Sequence, residues 1–297
     1  MLKKGPLYVL ACYILWGLLP VFWKTLAEVN SLYVLASRIL WSLLLVTAFL
    51  AARRRFGEVR AVLADKKEWK RLVLAGCFIC VNWGSFIWAV NGGHLLDSSL
   101  AYYMSPILSI LLGTLFFHER LTRVQWLAVG ITFTGLVIAV IRYGQIPWIA
   151  LIIGGSFSIY SALKKGVHCQ AETSMFFETA VLAPFALAFV FWAESRGSGA
   201  VGVLVGWQWV LLPVAGFVTT LPLVLFSKGI QDTPMSLAGI LMYINPTIQL
   251  LLSVLVYHEE FTLTHVILFG FVWTGLALYL ASGLRQRRKE KEMASCA

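Results

Sequence analysis

The sequence is poor in charge: Asp, Glu, Lys and Arg supply only 13% of its 297 residues, while 59% are hydrophobic. Soluble domains carry roughly 25% charged and 45–50% apolar residues, so this chain lacks the polar surface to cover a water-soluble globule and its main solvent is lipid. Long alternating strands are absent too, which argues against a β-barrel. Of the five cysteines (Cys12, Cys77, Cys80, Cys169 and Cys296), Cys77 and Cys80 alone have metal-like spacing, and they sit in an apolar run without a second pair. They read as packing residues, and no metal or cofactor is expected. After Met1-Leu2-Lys3-Lys4 the apolar stretch runs through Trp16, Pro20 and Trp23 to Lys24 without a small-x-small cleavage site, so it reads as an uncleaved first helix. His118-Glu119 lacks the second His of a metalloprotease motif, and no nucleophile elbow or phosphate loop occurs, which counts against a membrane-embedded enzyme.

What is present is a series of apolar runs near 20 residues long, each suited to a helix crossing a hydrocarbon layer of about 30 Å. They predict an all-α integral membrane protein with ten spans at 6–25, 32–51, 71–90, 97–116, 124–141, 147–163, 174–192, 207–227, 235–256 and 264–283. The sixth is interrupted by Gly154-Gly155 and several serines, and the eighth carries Pro213 and Pro222. With both termini on the cytoplasmic side of a bacterial inner membrane, 20 of the 24 basic residues fall in inner segments. Lys24, Arg142 and Arg196 lie outside and Arg38 within a span, as the positive-inside rule requires. The net charge of +10 lies in short segments without a folded basic domain, so the lipid bilayer is the expected partner and no nucleic acid is expected.

The chain also matches itself at a shift of 140 residues. Tyr103-Met104-Ser105-Pro106 pairs with Tyr243-Ile244-Asn245-Pro246, His118-Glu119 with His258-Glu259, Thr122 with Thr262, Gly130 with Gly270 and Thr134-Gly135 with Thr274-Gly275. In-register Pro, His-Glu and Thr-Gly are marks of duplication. The expected organisation is a five-helix repeat at 1–143, a second at 144–284 and a basic cytoplasmic tail at 285–297. Five is odd, so the second repeat is inverted relative to the first. A 5+5 inverted repeat around a central cavity characterises secondary transporters, whose halves exchange conformations about one midplane site.

The opening Trp16-Gly17-Leu18-Leu19-Pro20-Val21-Phe22-Trp23-Lys24, the block Ser37-Arg38-Ile39-Leu40-Trp41-Ser42 and the Pro-to-Glu-to-Gly pattern of both halves resemble the RarD branch of the EamA transporters, in the drug/metabolite transporter superfamily. Its members are often named chloramphenicol-sensitive or chloramphenicol-resistance permeases. The resemblance implies ten helices, a cavity lined mainly by helices one, three, four, six, eight and nine, and export of small metabolites or drugs.

An ionisable side chain inside a span is costly unless it has a partner or a wet cavity, which makes it a functional candidate. Arg38 in helix two is one; Glu178 in helix seven is its counterpart at the 140 shift, on the other side of the membrane. Arg38 reads equally well as a member of a structural ion pair. Lys24 and Lys164 are likewise equivalent, and both read as snorkelling to headgroups or as gates. In the sharper reading Lys164 and Glu178 close an inner gate while Arg38, with Asp97 or Glu28, closes an outer one. Glu178 would also be the proton acceptor of a proton-coupled carrier.

Trp16, Trp83, Trp88, Tyr102, Tyr103, Tyr160 and Tyr243 fall on helices expected around the cavity, where flat rings suit an aromatic or weakly polar small-molecule substrate, although Trp and Tyr are also ordinary belt residues. Asn82 and Asn91 are cavity groups or glue between helices. Pro106 and Pro246 predict kinks and candidate hinges in helices four and nine. Glu119 and Glu259 read as loop residues orienting the next helix, aided by a Thr122-x-x-Gln125 capping box. Gly130 with Thr134 and Gly270 with Thr274 suit close packing of helices five and ten, against the body or in a homodimer. The function expected is alternating-access transport of small metabolites or drugs, among them chloramphenicol or amino-acid-like aromatic solutes; the alternative is a lipid flippase of the same superfamily.

Overall fold

A computed structural model describes residues 4–91, 95–144, 148–256 and 263–296; the side chains of 87, 88, 90, 91, 95–100, 143, 253, 264, 265 and 286–296 are outside the description. The described residues form helices and connections, with no strand among them. The helices are α1 (Lys4–Trp23), α2 (Ser31–Ala52), α3 (Phe56–Ala64), α4 (Lys66–Asn91), α5 (Leu95–Phe116), α6 (Arg123–Tyr143), α7 (Trp148–Lys165), α8 (Ala171–Ser195), α9 (Leu211–Gln231), α10 (Met235–Met242), α11 (Ile244–Leu255) and α12 (Leu263–Cys296), with short 310 turns at Lys24–Leu26 and Gly206–Val210.

Among the described residues seven stretches are long and apolar enough to cross a membrane: Lys4–Leu26, Ser31–Ala52, Arg123–Arg142, Ala171–Ser195, Gly206–Gln231, Met235–Leu252 and Val266–Arg285. The chain is therefore a multi-pass membrane protein. The remaining long helices are more mixed. The apolar part of α5 is the shorter Ala101–Phe116, α4 begins with Lys66, Lys67, Glu68, Lys70 and Arg71, and α7 ends on Lys164 and Lys165.

Two features depart from the expected runs. The basic segment after α2 contains α3, a short helix that buries Val59 and Val62 on the protein while leaving Leu63 and Phe56 exposed. The ninth run is split at Tyr243 into α10 and α11. Pro246 supplies no N–H for the carbonyl four residues back, Met242, and its ring crowds that carbonyl; α10 ends at Met242. By contrast α5 runs through Pro106 as one helix, so the interruption expected in both halves occurs in the second.

Packing follows the small residues. α7 lies along α4 and α5, α1 along α9 and α10–α11, α2 along α8 and α9, α8 along α4, α5 along α10, and α6 along α12. A Cβ on Gly216 would lie 2.4 Å from the Trp41 Cβ, so α9 and α2 meet there almost backbone to backbone, and Ser42 donates to the Gly216 carbonyl at 3.1 Å. The α6–α12 seam corrects an expectation. It is made by Gly135, against Phe271, and Gly275, against Thr132, whereas Gly130 and Gly270 have nothing within 4 Å of a Cβ. Thr134 and Thr274 are exposed and bond back to the Gly130 and Gly270 carbonyls. Five residues advance about 140° around a helix, so Gly130 and Gly135 cannot share the face that meets the neighbour.

Candidate functional site

The end of the bundle that carries Lys4 is tied together by polar side chains. α7 and α8 are joined through a short turn, and their facing sides bring Lys164, in the last turn of α7, to Glu178, two turns into α8. The Lys164 Nζ lies 2.5 Å from Glu178 Oε1, with both side chains almost wholly buried, 1% and 3% exposed. Lys164 also donates to Ser174 Oγ. Ser174 in turn donates to Glu178 Oε1 at 2.9 Å, and Tyr160 Oη donates to Oε2 at 3.0 Å. Ser174 precedes Glu178 by one helical turn, so the two share a face of α8. Both carboxylate oxygens are thus engaged, the condition for a buried ion pair to persist.

Above this cluster the rings of Tyr13, Trp16, Phe157, Tyr160 and Phe226 pack at 5.6–6.2 Å between centroids, with Tyr160 stacked on Phe226. Trp16 is half-buried and Tyr160 wholly buried, so these two candidates close the space between α1, α7 and α9. Tyr103 and Tyr243 are also buried: Tyr243 Oη donates to the Tyr103 carbonyl at 3.2 Å, and the Tyr103 ring meets Phe269 edge-on.

Further ties secure the same end. Glu172 lies 2.5 Å from the Lys228 Nζ, joining α8 to α9, and 3.8 Å from Arg55. Arg55 grips Glu58 with two N–H groups at 2.7 and 2.9 Å, and Thr173 donates to the same carboxylate at 2.8 Å. The Arg55 guanidinium thereby holds the Glu58 carboxyl below the usual glutamate range, with burial opposing. Glu68 accepts from the backbone N–H groups of His168 and Cys169, and Arg71 donates to the Gly166 carbonyl. In the connection between α7 and α8, burial pushes the Cys169 thiol up to about 12. A cavity of about 730 Å³ opens here, lined in part by Lys4, Glu119, Lys165 and Asp232.

Glu119 has a role other than the expected one. His118 adopts φ 51° just beyond α5, a left-handed conformation that His tolerates better than most side chains. Glu119 then turns onto the first turn of α10, accepting from Met235 N at 2.6 Å, Ser236 N at 2.9 Å and Ser236 Oγ at 2.6 Å. It caps a helix more than a hundred residues away, not the next helix, because a carboxylate is best placed on free N–H groups at a helix N-terminus. Thr122 and Gln125 do form the expected capping box on α6.

The opposite end, where α1 finishes, holds Arg38. Its Cζ lies 4.4 Å from the Trp83 ring centre and 5.4 Å from that of Trp23. Its Nε is buried without a hydrogen-bond partner, and no ion pair among the described residues joins it to Glu28. Tyr102 is within electrostatic reach and shares a hydrogen bond with Gln249, which donates to Asn245 at 2.7 Å. The Asn82 amide donates to the Ile153 carbonyl at 2.8 Å, across the α4–α7 contact, and the Phe86 and Tyr102 rings meet at 5.9 Å. Lys24 is exposed in the 310 turn after Trp23. The side chains of Trp88, Asn91 and Asp97 and all of His258, Glu259 and Thr262 lie outside the described residues.

Arg38, Lys164 and Glu178 were candidates from the sequence, whereas Trp23, Ser174, Glu172 and Lys228 were missed. Ser174 was recoverable from its i, i+4 spacing to Glu178; the others become neighbours only through the fold.

The model of the EamA-like transporter family matches the chain twice, over residues 3–141 and 146–281. The chain is 38% identical to the "Uncharacterized transporter YojE" of Bacillus subtilis (strain 168), covering 97% of each chain. It is 36% identical to "Protein RarD" of Streptomyces exfoliatus, over 97% of this chain and 92% of that one. A solved crystal structure superposes with a TM-score of 0.70 at 18% identity, over 94% of this chain and 98% of that one, which supports the fold alone. With two copies of the family pattern filling almost its whole length, this chain belongs to the EamA-like transporter family, in its RarD branch, and is a membrane transporter.

Proposed function

We propose that the protein is a ten-span secondary transporter of the bacterial inner membrane, built from inverted five-helix repeats at 1–143 and 144–284 with a basic tail at 285–297. It moves small metabolites or drugs by alternating access. The observation that carries this reading is a symmetry of contacts. Exchanging each helix with its counterpart 140 residues away turns the α1–α9 contact into α7–α4, α1 on α10–α11 into α7–α5, and α2–α9 into α8–α4, while α2–α8, α5–α10 and α6–α12 map onto themselves. Two halves that interlock this way can exchange conformations about a shared centre.

The closures are not symmetric. With both termini cytoplasmic, the Lys164–Glu178 pair, the Glu172–Lys228 pair and the aromatic cluster close the inner side, whereas Arg38 sits toward the outer side with its Nε unsatisfied. Lys164 and Glu178 are thus the inner gate, at the more heavily tied of the two ends. Trp83, Tyr102 and Asn82 line the outer approach, the break at Tyr243 ahead of Pro246 serves as a hinge, and the outward faces of α6 and α12 suit a homodimer. Chloramphenicol and amino-acid-like aromatic solutes are candidate cargoes.

The test is uptake into proteoliposomes by the purified chain, screened with amino acids, aromatic metabolites and chloramphenicol with and without a pH gradient. Counterflow of at least one solute is expected. If none moves while fluorescent lipid probes cross, the protein is a flippase and the small-solute reading is wrong. Reversing both charges, Lys164→Glu with Glu178→Lys, is expected to recover part of the transport lost in either single variant; no recovery removes the gate assignment.

A further inference from the structure

We propose that Arg38 is a binding site for the carboxylate of an apolar, flat solute, so that the cargo class of this transporter is aromatic monocarboxylates; this deepens the transport reading above and rests on it. An arginine keeps its charge in any protein environment and presents five N–H donors in one plane. Here the ring centres of Trp83 and Trp23 lie 4.4 and 5.4 Å from the Arg38 Cζ. Indole faces answer the cation's charge, but they offer no acceptor to N–H groups, and Nε is buried with none. A donor left in that state within the membrane is a cost that the fold carries unless something else supplies the acceptor.

The charge bound in the other half shows the contrast. Glu178 has Lys164, Ser174 and Tyr160 on its two oxygens, so the protein itself completes that site. At Arg38 the described polar neighbour is Tyr102, itself hydrogen-bonded to Gln249, which donates to Asn245. A planar carboxylate accepts two parallel N–H bonds from a guanidinium edge, including Nε, a geometry that ammonium groups do not offer. A single guanidinium balances a single negative charge, which favours a monoanion over a phosphate. Trp23, Trp83 and the Phe86–Tyr102 pair supply flat apolar surface for the body of the solute. On this reading chloramphenicol, which has no carboxylate, is a poor cargo.

The experiment measures binding and proteoliposome exchange of phenylacetate, 3-phenylpropanoate and indole-3-acetate against their uncharged amides, with the full chain, Arg38→Gln and Arg38→Lys. Charge-assisted hydrogen bonds to one arginine predict that the acids bind roughly 10- to 100-fold tighter than the amides. Arg38→Gln is expected to abolish this preference and Arg38→Lys, which keeps the charge but not the fork, to retain part of it. Should Arg38→Gln fail to fold by thermal unfolding in detergent, the graded loss in Arg38→Lys carries the test. Equal binding of acids and amides by the unaltered protein, binding of neither, or a preference that survives Arg38→Gln overturns the proposal. Acids that bind through Arg38 but never exchange leave the site standing and remove the transport reading; acids and amides that exchange equally well do the reverse.

Discussion

Around Glu178 every carboxylate oxygen is used, by Lys164, Ser174 and Tyr160, whereas 140 positions earlier Arg38 lies against two indole rings with Nε unpaired. Both side chains sit on equivalent turns of equivalent helices, α2 and α8, and each has a lysine 14 positions upstream, Lys24 or Lys164. The difference lies in sign. A lysine beside a carboxylate forms a pair that can tolerate burial, and Lys164 is 1% exposed, whereas Lys24 is exposed in its 310 turn. With the charge reversed, the Glu178 site is completed by its own neighbours, while Arg38 keeps an unpaired buried Nε.

The largest expected effect tests the closed site. Glu178→Leu leaves the Lys164 ammonium buried without a counter-charge and should destabilise the protein by about 3–5 kcal/mol, whereas the double variant with Lys164→Met should regain most of that loss. Thermal unfolding in detergent measures both; equal loss in the single and double variants would mean that packing, not charge pairing, holds α7 to α8.

A smaller effect is expected at the open site. Arg38→Met removes no hydrogen bond from Nε and keeps an extended chain beside Trp23 and Trp83. The loss is confined to the cation–π contacts, so stability should fall by about 0.5–2 kcal/mol. A loss as large as that of Glu178→Leu would erase the contrast between the two sites.

The smallest effect lies at the surface ties that reinforce the closed end. Arg55 holds the Glu58 carboxyl below its ordinary range, so the stability from this pair is fully present above the ordinary glutamate pKa, about 4.3. It is lost as pH falls through the lower value of the folded state. With side chains 21% and 32% exposed, the pair should be worth about 0.2–1 kcal/mol. Glu58→Gln should therefore lower the unfolding temperature slightly at neutral pH, and its deficit should vanish at a pH below the folded-state value. A deficit that does not change with pH would assign Glu58 to packing.

Much of the fold was legible because helix extents in lipid follow from local composition. The runs at 32–51, 124–141 and 174–192 became α2, α6 and α8 with ends shifted by at most three residues. α3 was not legible, since its nine residues are too short a run to span a membrane and lie within a basic segment. The break at Tyr243 was legible through Pro246, but the continuity of α5 past an equivalent proline was not. Within the site, Lys164 and Glu178 stood out as ionisable groups in apolar runs, and Ser174 by its spacing. Trp23 beside Arg38, and Glu119 on α10, join segments that sequence separation says nothing about.

By itself the amino-acid order determined which stretches can span the membrane, which charges lie among apolar residues, and that the chain repeats at 140 positions, because hydrophobic run length and side-chain type act locally. Tertiary structure decided which of those charges meet. Close approaches at Gly76 on the Glu178 backbone and at Gly216 on Trp41 set how α4, α8, α9 and α2 pack. Whether a buried ion finds a partner within hydrogen-bond reach depends on that placement, which no local stretch of sequence contains.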